Sequence, residues 1–187
     1  MYKLLQVFAL FMGSLVFSQI SEIDIIDREA DTSYAQLSKQ YRKTHPPERK
    51  AAANLIDENR RTGYKRVIAN IQQDELVVDF DSISTKYDTH PEFEPGGITG
   101  LRKLFANTFN TGSVPTVSGA ITSELSFIVD QNGTPTAVRA TGANKDFNLA
   151  SVITFYRISG QGTWQPATYE GKAVIARVRM PLKMIFE

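Results

Sequence analysis

Two long stretches in the C-terminal half of the chain alternate apolar and polar residues. Residues 121–130 place Leu125, Phe127 and Val129 on one face, and residues 172–187 carry an apolar residue at every even position from 174 to 186. A period of two is the pattern of a strand with one buried face, because successive side chains of a strand point to opposite sides. We therefore predict two long strands in this half of the chain.

A shorter strand and a tight turn are predicted between them. Residues 135–140 can return as the partner of the first long strand, because Asn132-Gly133 is the strongest short signal for a hairpin. A type I′ turn requires positive φ at both of its central residues. The second long strand contains Pro181. Since proline cannot donate to a ladder of hydrogen bonds, we predict that this strand lies at an edge of the sheet.

Helical periodicity is found on both sides of the hairpin. Residues 98–109 predict one helix, and residues 147–158 predict another that is capped by Asp146 and stopped by Gly160. Together these elements predict an α+β fold, a small antiparallel sheet (hairpin plus long C-terminal strand) packed against two helices. We expect a helical N-terminal segment to precede this unit.

The N-terminal half is charge-mixed and less regular. Residues 32–45 predict a short helix that ends at a His-Pro-Pro sequence, and residues 47–62 predict a second helix with Gly63 at its C′ position. Residues 64–71 predict a further helical or extended piece, residues 77–83 resemble a strand, and residues 20–31 predict no clear element. No internal repeat is apparent at this level.

The first 18 residues have the layout of a secretory signal peptide. Lys3 supplies a positive charge, residues 4–17 form an apolar run, and residues of small or modest size precede a cleavage point after Ser18. The run is short for a transmembrane helix, which needs about 20 apolar residues. We expect a cleaved leader, with an uncleaved anchor or a buried core helix as the alternatives.

Composition narrows the class of protein. The chain has 187 residues, an ordinary share of apolar and charged residues and a net charge of +1, which argues against a dedicated nucleic-acid binder. The absence of cysteine excludes disulfides, thiol catalysis and thiolate metal sites. With the Pro- and Gly-rich stretch 87–97 as a connector, we predict a signal peptide at 1–18, a helical region at 19–87 and a second domain at 88–187.

Four motifs in residues 88–187 resemble one known family in their order and spacing. They are a Pro-Glu-Phe-Glu-Pro-Gly-Gly lead-in, a Phe-Ile-Val-Asp-Gln-Asn-Gly strand and turn, a Trp-Gln-Pro-Ala turn followed by Gly-Lys-Ala-Val, and Met-Pro-Leu in the last strand. This set resembles the C-terminal domain of the TonB family, in the variant common in Gram-negative bacteria of the Bacteroidota type. The motif residues are Pro95, Gly96, Gly97, Asn132, Gly133, Trp164, Pro166, Gly171 and Pro181.

The resemblance implies a function in the cell envelope. TonB-like domains are understood to hold extended peptides of outer-membrane receptors along their last strand, by main-chain hydrogen bonds. A periplasmic, non-enzymatic protein-binding module is therefore expected, whose partner is an envelope protein such as the N-terminal segment of a TonB-dependent receptor. The pairing residues would be Ala173, Val174, Ile175, Ala176, Arg177, Val178 and Arg179.

Two alternatives stay open at this point. A homodimer could form through the same last strand. An energy transducer of the TonB type would need its N-terminal helix to remain uncleaved in the membrane, followed by a long Pro-rich spacer. This chain has a helical, charge-mixed segment where that spacer would be, and it lacks the family's usual Tyr-Pro before the first strand.

Candidate catalytic and metal-binding residues are few. His45 and His90 each sit beside a proline and lack further ligands at zinc-binding spacing, and Glu92 and Glu94 flank Phe93 in the connector. Asp79-Phe80-Asp81 resembles the start of a calcium loop but lacks the glycine and glutamate that would complete it. We therefore expect no catalytic residue, no metal and no cofactor.

Overall fold

The structure is a computed structural model that describes residues 2–41, 46–73 and 78–186, with side chains described from residue 21 onward. The chain divides into two compact units, Met1–Gln73 and Asp74–Glu187. The first unit is helical and the second combines helices with small antiparallel sheets, so the predicted α+β fold class is confirmed. Within the described ranges, no helix combines the length and the apolar character needed to cross a membrane.

The first unit is a pair of helices, α1 (Tyr2–Gln40) and α2 (Pro46–Gln72). Both extend beyond the predicted helices, because residues 20–31 are helical and α2 continues through Gly63. The prediction of Gly63 as a helix end was wrong for a packing reason. A Cβ on this buried glycine would come within 2.9 Å of the Ile26 side chain, so glycine permits a close approach of the helices. The predicted end of the first helix, at 42–45 and including His45, lies outside the described residues.

Two tyrosine–aspartate pairs join α1 and α2 in a reciprocal arrangement. The Tyr34 hydroxyl donates to Asp57 Oδ1 at 2.7 Å, and the Tyr64 hydroxyl donates to Asp27. The same motif supplies both pairs, in IIDREADTSY on α1 and LIDENRRTGY on α2. The helices are antiparallel, so each copy of the motif faces the other. This internal repeat was not recognised in the sequence, and it gives the helical pair an approximate two-fold symmetry.

The described part of the second unit contains three small sheets, two α-helices and a short 3₁₀ helix, Thr111–Ser113. A three-stranded antiparallel sheet has the order β3-β2-β7, and two pairs of short strands, β1 with β4 and β5 with β6, lie outside it. The bounds are β1 Glu92–Glu94, α3 Gly97–Thr108, β2 Gly119–Val129, β3 Pro135–Thr141, α4 Lys145–Ile158, β4 Thr163–Gln165, β5 Ala167–Tyr169, β6 Lys172–Val174 and β7 Ala176–Phe186.

One face of the three-stranded sheet packs against α4. Phe127 of β2 meets Phe155 of α4 with ring centroids 4.4 Å apart. Further along, a cluster of Val114, Phe147 and Ala150 packs against side chains at even positions of β7, namely Leu182, Met184 and Phe186. The predicted assignment of even positions of the last strand to the covered face is therefore confirmed. We call this the inner face and the opposite one the outer face.

The β2–β3 turn and the α4 cap differ from their predictions. Gly133 has φ of 77° but Asn132 is not in the positive region, so the predicted type I′ turn is wrong. Gly133 N donates to Asp130 O and Asp130 N donates to Thr134 O, which gives a three-residue loop with glycine in the left-handed position. The Asp130 carboxylate accepts from Asn132 N and Thr134 N and so stabilises this wider loop. The cap of α4 is Asn144, whose side chain accepts from Phe147 N, while the predicted Asp146 lies in the first turn.

Residues 78–83 do not form the predicted strand, and Val77 lies outside the described residues. They form a turn that presents Phe80 to the outer face of the sheet. Phe80 is only 5% exposed. This contact explains why the second unit begins at Asp74, earlier than the boundary predicted after Tyr87.

Candidate protein-binding edge

The long strand β7 has one paired side. It is bonded to β2 from Ala176, opposite Val129, to Phe186, opposite Gly119, and it ends the order β3-β2-β7. No described strand pairs with its other side. Pro181 lies opposite Glu124 in this register, and its position in an edge strand confirms the prediction from the proline. The edge of β7 therefore offers main-chain groups over eleven residues.

The predicted single strand from 172 to 187 is divided in two. Ala173 and Val174 belong to β6, which pairs with β5 in a separate hairpin, and Ile175 interrupts the two strands and is 46% exposed. Only four of the seven predicted pairing residues lie in β7, namely Ala176, Arg177, Val178 and Arg179. The predicted pairing segment thus spans two sheets, whereas the continuous edge runs from Ala176 to Phe186.

The basic residues of β7 are not equally available. Arg177 lies 3.3 Å from Asp81 and 4.0 Å from Glu124, and its side chain is 16% exposed. Arg179 lies 3.7 Å from the same Glu124, which belongs to the neighbouring strand β2. Lys183 forms no ion pair with the residues that the structure describes. Arg177 is therefore largely covered, Arg179 is 57% exposed in a weak surface ion pair, and Lys183 is a positive charge without a described ion-pair partner.

Trp164 is a structural anchor in this fold. Its ring is 8% exposed and makes edge contacts with Phe93 at 5.4 Å and with Phe127 at 5.2 Å. Phe93 and Trp164 are also opposite one another in the β1–β4 pair. A Cβ on Gly133 would lie 2.2 Å from the Trp164 carbonyl oxygen, so the hairpin tip closes against this strand, next to Pro166.

The Pro-Gly-Gly motif joins β1 to α3. Gly96 is the N-cap of α3 with φ of 85°, and Gly97 has φ of 61°. A Cβ on Gly100 would come within 2.2 Å of the Pro95 carbonyl oxygen. The motif therefore provides a sharp entry to the helix that residues with a Cβ would resist.

A type I′ turn does occur, at Glu170-Gly171. The two residues have φ of 50° and 73° and connect Tyr169 to Lys172, its partner across the hairpin. Asp88 Oδ2 accepts from Glu170 N at 2.6 Å and supports the strained backbone at that position. Asp88 was not recognised as a structural residue, because its partner lies far away along the chain.

The residues considered for catalysis or metal binding do not converge. Glu92 and Glu94 are exposed on β1, His90 makes an edge contact with the Tyr87 ring, and Asp79 accepts from Asp81 N within its own turn. The described residues contain no cluster of three or more potential metal ligands. The absence of an enzymatic activity stays a prediction.

Comparison of the chain with protein-family models, curated proteins and solved structures finds no match. The resemblance to the TonB C-terminal domain therefore rests on the sequence motifs alone.

Proposed function

We propose that the second unit is a non-enzymatic protein-binding module of the periplasm, which captures an extended peptide of an envelope partner along the edge of β7. The observation that carries the proposal is the edge itself, an eleven-residue strand that is paired on one side among the described residues. An unpaired edge exposes N–H and C=O groups that an extended peptide can satisfy. The order of the TonB-like motifs adds to this, with the N-terminal segment of an outer-membrane receptor as the favoured partner.

The strand β7 is held in place by packing on its inner face and by pairing with β2. Its inner-face residues pack on the Phe147 cluster, and β2 pairs with it along its whole length. An incoming strand would meet half-buried apolar side chains on the inner face, namely Val178, Leu182, Met184 and Phe186, and Lys183 on the outer face. A peptide with apolar residues at alternate positions and an acidic residue near Lys183 would match this pattern.

Periplasmic location is part of the proposal and rests on the signal-peptide layout of residues 1–18, and the helical pair is compatible with removal of that segment. The contacts of Asp27 with Tyr64 and of Glu22 with Arg66 set an antiparallel register. Continued to Gln72, that register brings the end of α2 to about the level of Ser18 on α1. Cleavage after Ser18 would therefore leave the paired part of α1 intact. N-terminal sequencing of the mature protein tests this, with Gln19 as the expected first residue.

The binding experiment should test main-chain pairing itself. Synthetic peptides from the N-terminal segments of outer-membrane receptors of the same cell would be titrated by calorimetry into the full-length mature protein. The best binder would then be made in two forms, each N-methylated at alternate backbone amides. Because only every second amide of a strand faces its neighbour, we expect one form to lose binding at least tenfold and the other to retain it.

Two results would contradict the proposal. Equal binding of both methylated forms would exclude pairing along a strand edge. Absence of binding by every receptor segment would remove the peptide-capture function. The Lys183→Glu variant should weaken the binding of an acidic peptide. The matched control is Lys145→Glu, at the exposed start of α4, which should leave that binding unchanged.

A further inference from the structure

The outer face of the sheet carries an aromatic residue clamped by two arginines. The Arg139 guanidinium of β3 lies 3.6 Å from the centroid of the Phe80 ring, and that of Arg177 lies 5.2 Å from it. Arg177 Nη1 also lies 3.3 Å from Oδ1 of Asp81, the residue that follows Phe80. We call residues 79–82 the strap, and Arg139 with Arg177 the clamp. The clamp thus recognises an aromatic ring and the carboxylate that follows it.

The strap covers a part of the sheet that would otherwise be open. Ser126 lies opposite Arg139 and Arg179, and Ile128 lies opposite Arg177, all on the outer face. Ser126 and Ile128 are 3% and 2% exposed, whereas Thr122, further along the same face, is exposed. The Phe80 ring therefore lies over a row of the sheet with an apolar floor at Ile128.

The strap is held to the sheet by side chains. Among the described residues, the backbone hydrogen bonds of the strap are internal: Ser82 N donates to Asp79 O, and Asp81 N donates to Asp79 Oδ1. The next described backbone bond to another strand is from Asp88 N to Thr168 O. The Asp81 side chain is 90% exposed and its ion pair is correspondingly weak. The strap can therefore leave the sheet without breaking the backbone hydrogen bonds between the described strands.

The clamp also has unused capacity. Arg177 Nε is a buried donor with no acceptor among the described residues, and Glu124 shares its carboxylate between Arg177 and Arg179 at 4.0 and 3.7 Å. A segment that brought a closer carboxylate would satisfy Arg177 better than the solvent-exposed Asp81 does.

We propose that the clamp is an exchangeable binding site for an aromatic–acidic segment, of which the strap is the resident occupant. A partner protein that carries an aromatic residue followed by an acidic one displaces the strap and takes its place on the outer face. This site lies on the outer face of the sheet and shares Arg177 with the edge of β7, but it uses the side chain of that residue and not its main chain, so it does not depend on peptide capture along that edge. Its ligand is defined by the chemistry of the strap, Asp-Phe-Asp-Ser.

The test supplies the strap as a separate molecule. A capped peptide with the sequence of residues 78–84, VDFDSIS, would be titrated into the full chain and into the Phe80→Ala, Asp81→Asn double variant. The readout is the chemical shift of the backbone amides at positions 128 and 139. A second peptide with leucine in place of phenylalanine tests for recognition of the aromatic ring. The double variant carrying Arg139→Ala as well is the matched control for the clamp.

We expect the double variant to bind the peptide and the unaltered chain to bind it about 10- to 100-fold more weakly, because a tethered strap competes at a high effective concentration. The leucine peptide and the Arg139→Ala control should each lose at least fivefold. Absence of binding by a double variant whose circular dichroism is unchanged would overturn the proposal. Equal affinity of the two chains for the peptide would also overturn it. So would a failure of the unaltered chain to bind the peptide at a peptide concentration 100 times the dissociation constant measured for the double variant.

Discussion

Gly133 combines a positive φ with a close backbone neighbour, and the structure allows us to estimate the effect of its replacement by alanine. Gly133 has φ of 77°, where a Cβ costs about 1–2 kcal/mol. In addition, that Cβ would lie 2.2 Å from the carbonyl oxygen of Trp164, a backbone atom that cannot rotate away. Forcing the hairpin tip off this strand should cost a further 1–3 kcal/mol or so, as in other overpacked sites. We expect Gly133→Ala to lower the free energy of unfolding by about 3 kcal/mol.

Two other glycines provide controls that separate these terms. Gly171 has φ of 73° but open space around its Cβ position, so Gly171→Ala should cost only the backbone term, about 1–2 kcal/mol. Gly160 has neither a positive φ nor a close neighbour, so Gly160→Ala should change stability by less than about 0.5 kcal/mol. The three variants differ by the same methyl group, and their ranking therefore reports the local structure.

Urea denaturation followed by tryptophan fluorescence is the appropriate assay. Trp164 is the only tryptophan of the chain and lies between Phe93 and Phe127, so its emission reports unfolding of the second unit. If Gly133→Ala and Gly171→Ala had equal effects within about 0.5 kcal/mol, the close approach of the hairpin tip to Trp164 would not contribute, and the reasoning would be refuted.

Three further predictions concern the helical pair and the strap. Tyr34→Phe removes a hydrogen bond to Asp57 and should destabilise the helical pair by about 1 kcal/mol in thermal unfolding followed by circular dichroism. Burial, aided by that hydrogen bond, raises the pKa of Tyr34 from 10.0 to about 12. Because the folded state then binds the proton more tightly than the unfolded state, the resulting stability is present below pH 10 and is lost as the pH rises towards 12. The Tyr34→Phe variant should not show this loss. Gly63→Ala should cost about 1–3 kcal/mol despite the higher helix propensity of alanine, because its Cβ meets Ile26, and a stabilised variant would contradict this packing. Phe80→Ala should destabilise the second unit by about 2–3 kcal/mol in urea, less than for a central core residue, and an unchanged midpoint would show that the strap is not docked.

The elements that the sequence predicted well are those set by local periodicity. The α3 and α4 helices and the strands β2, β3 and β7 lie close to their predicted positions, because each has one covered face and therefore a regular pattern of apolar residues. The edge position of β7 was also predictable, since it follows from the missing donor of Pro181. In the N-terminal half, the buried residues Ile23, Ile26 and Ala30 do have helical spacing, but they stand among acidic residues, and no clear element was predicted there from the sequence. Contacts such as Tyr64 with Asp27 add to the stability of this helix in the folded pair.

The features that the sequence did not predict depend on distant partners. Asn132-Gly133 resembles a type I′ turn, but the Asp130 carboxylate and the nearby Trp164 backbone favour a wider loop. Glu170-Gly171 adopts the type I′ turn, where Asp88 holds Glu170 in place. The alternation of apolar residues around Phe80 predicts a strand, whereas the partners of its ring are two arginines that lie far along the chain. An aromatic residue between two aspartates, followed by a basic sheet face, is the signal that could have suggested this contact.

The positions of the charges change what kind of partner the edge of β7 would select. In the sequence, Arg177, Arg179 and Lys183 share one face of the last strand, which is either a solvated outer face or a basic strip that meets an acidic segment. In the fold, Glu124 and Asp81 compensate the two arginines, and an acidic residue placed opposite them would compete with carboxylates already present. Lys183 has no such competitor among the described residues, and it lies beyond Pro181, in the half of β7 that packs on the Phe147 cluster. Charge recognition is therefore expected after Pro181, while the segment from Ala176 to Arg179 contributes main-chain bonds and apolar contact.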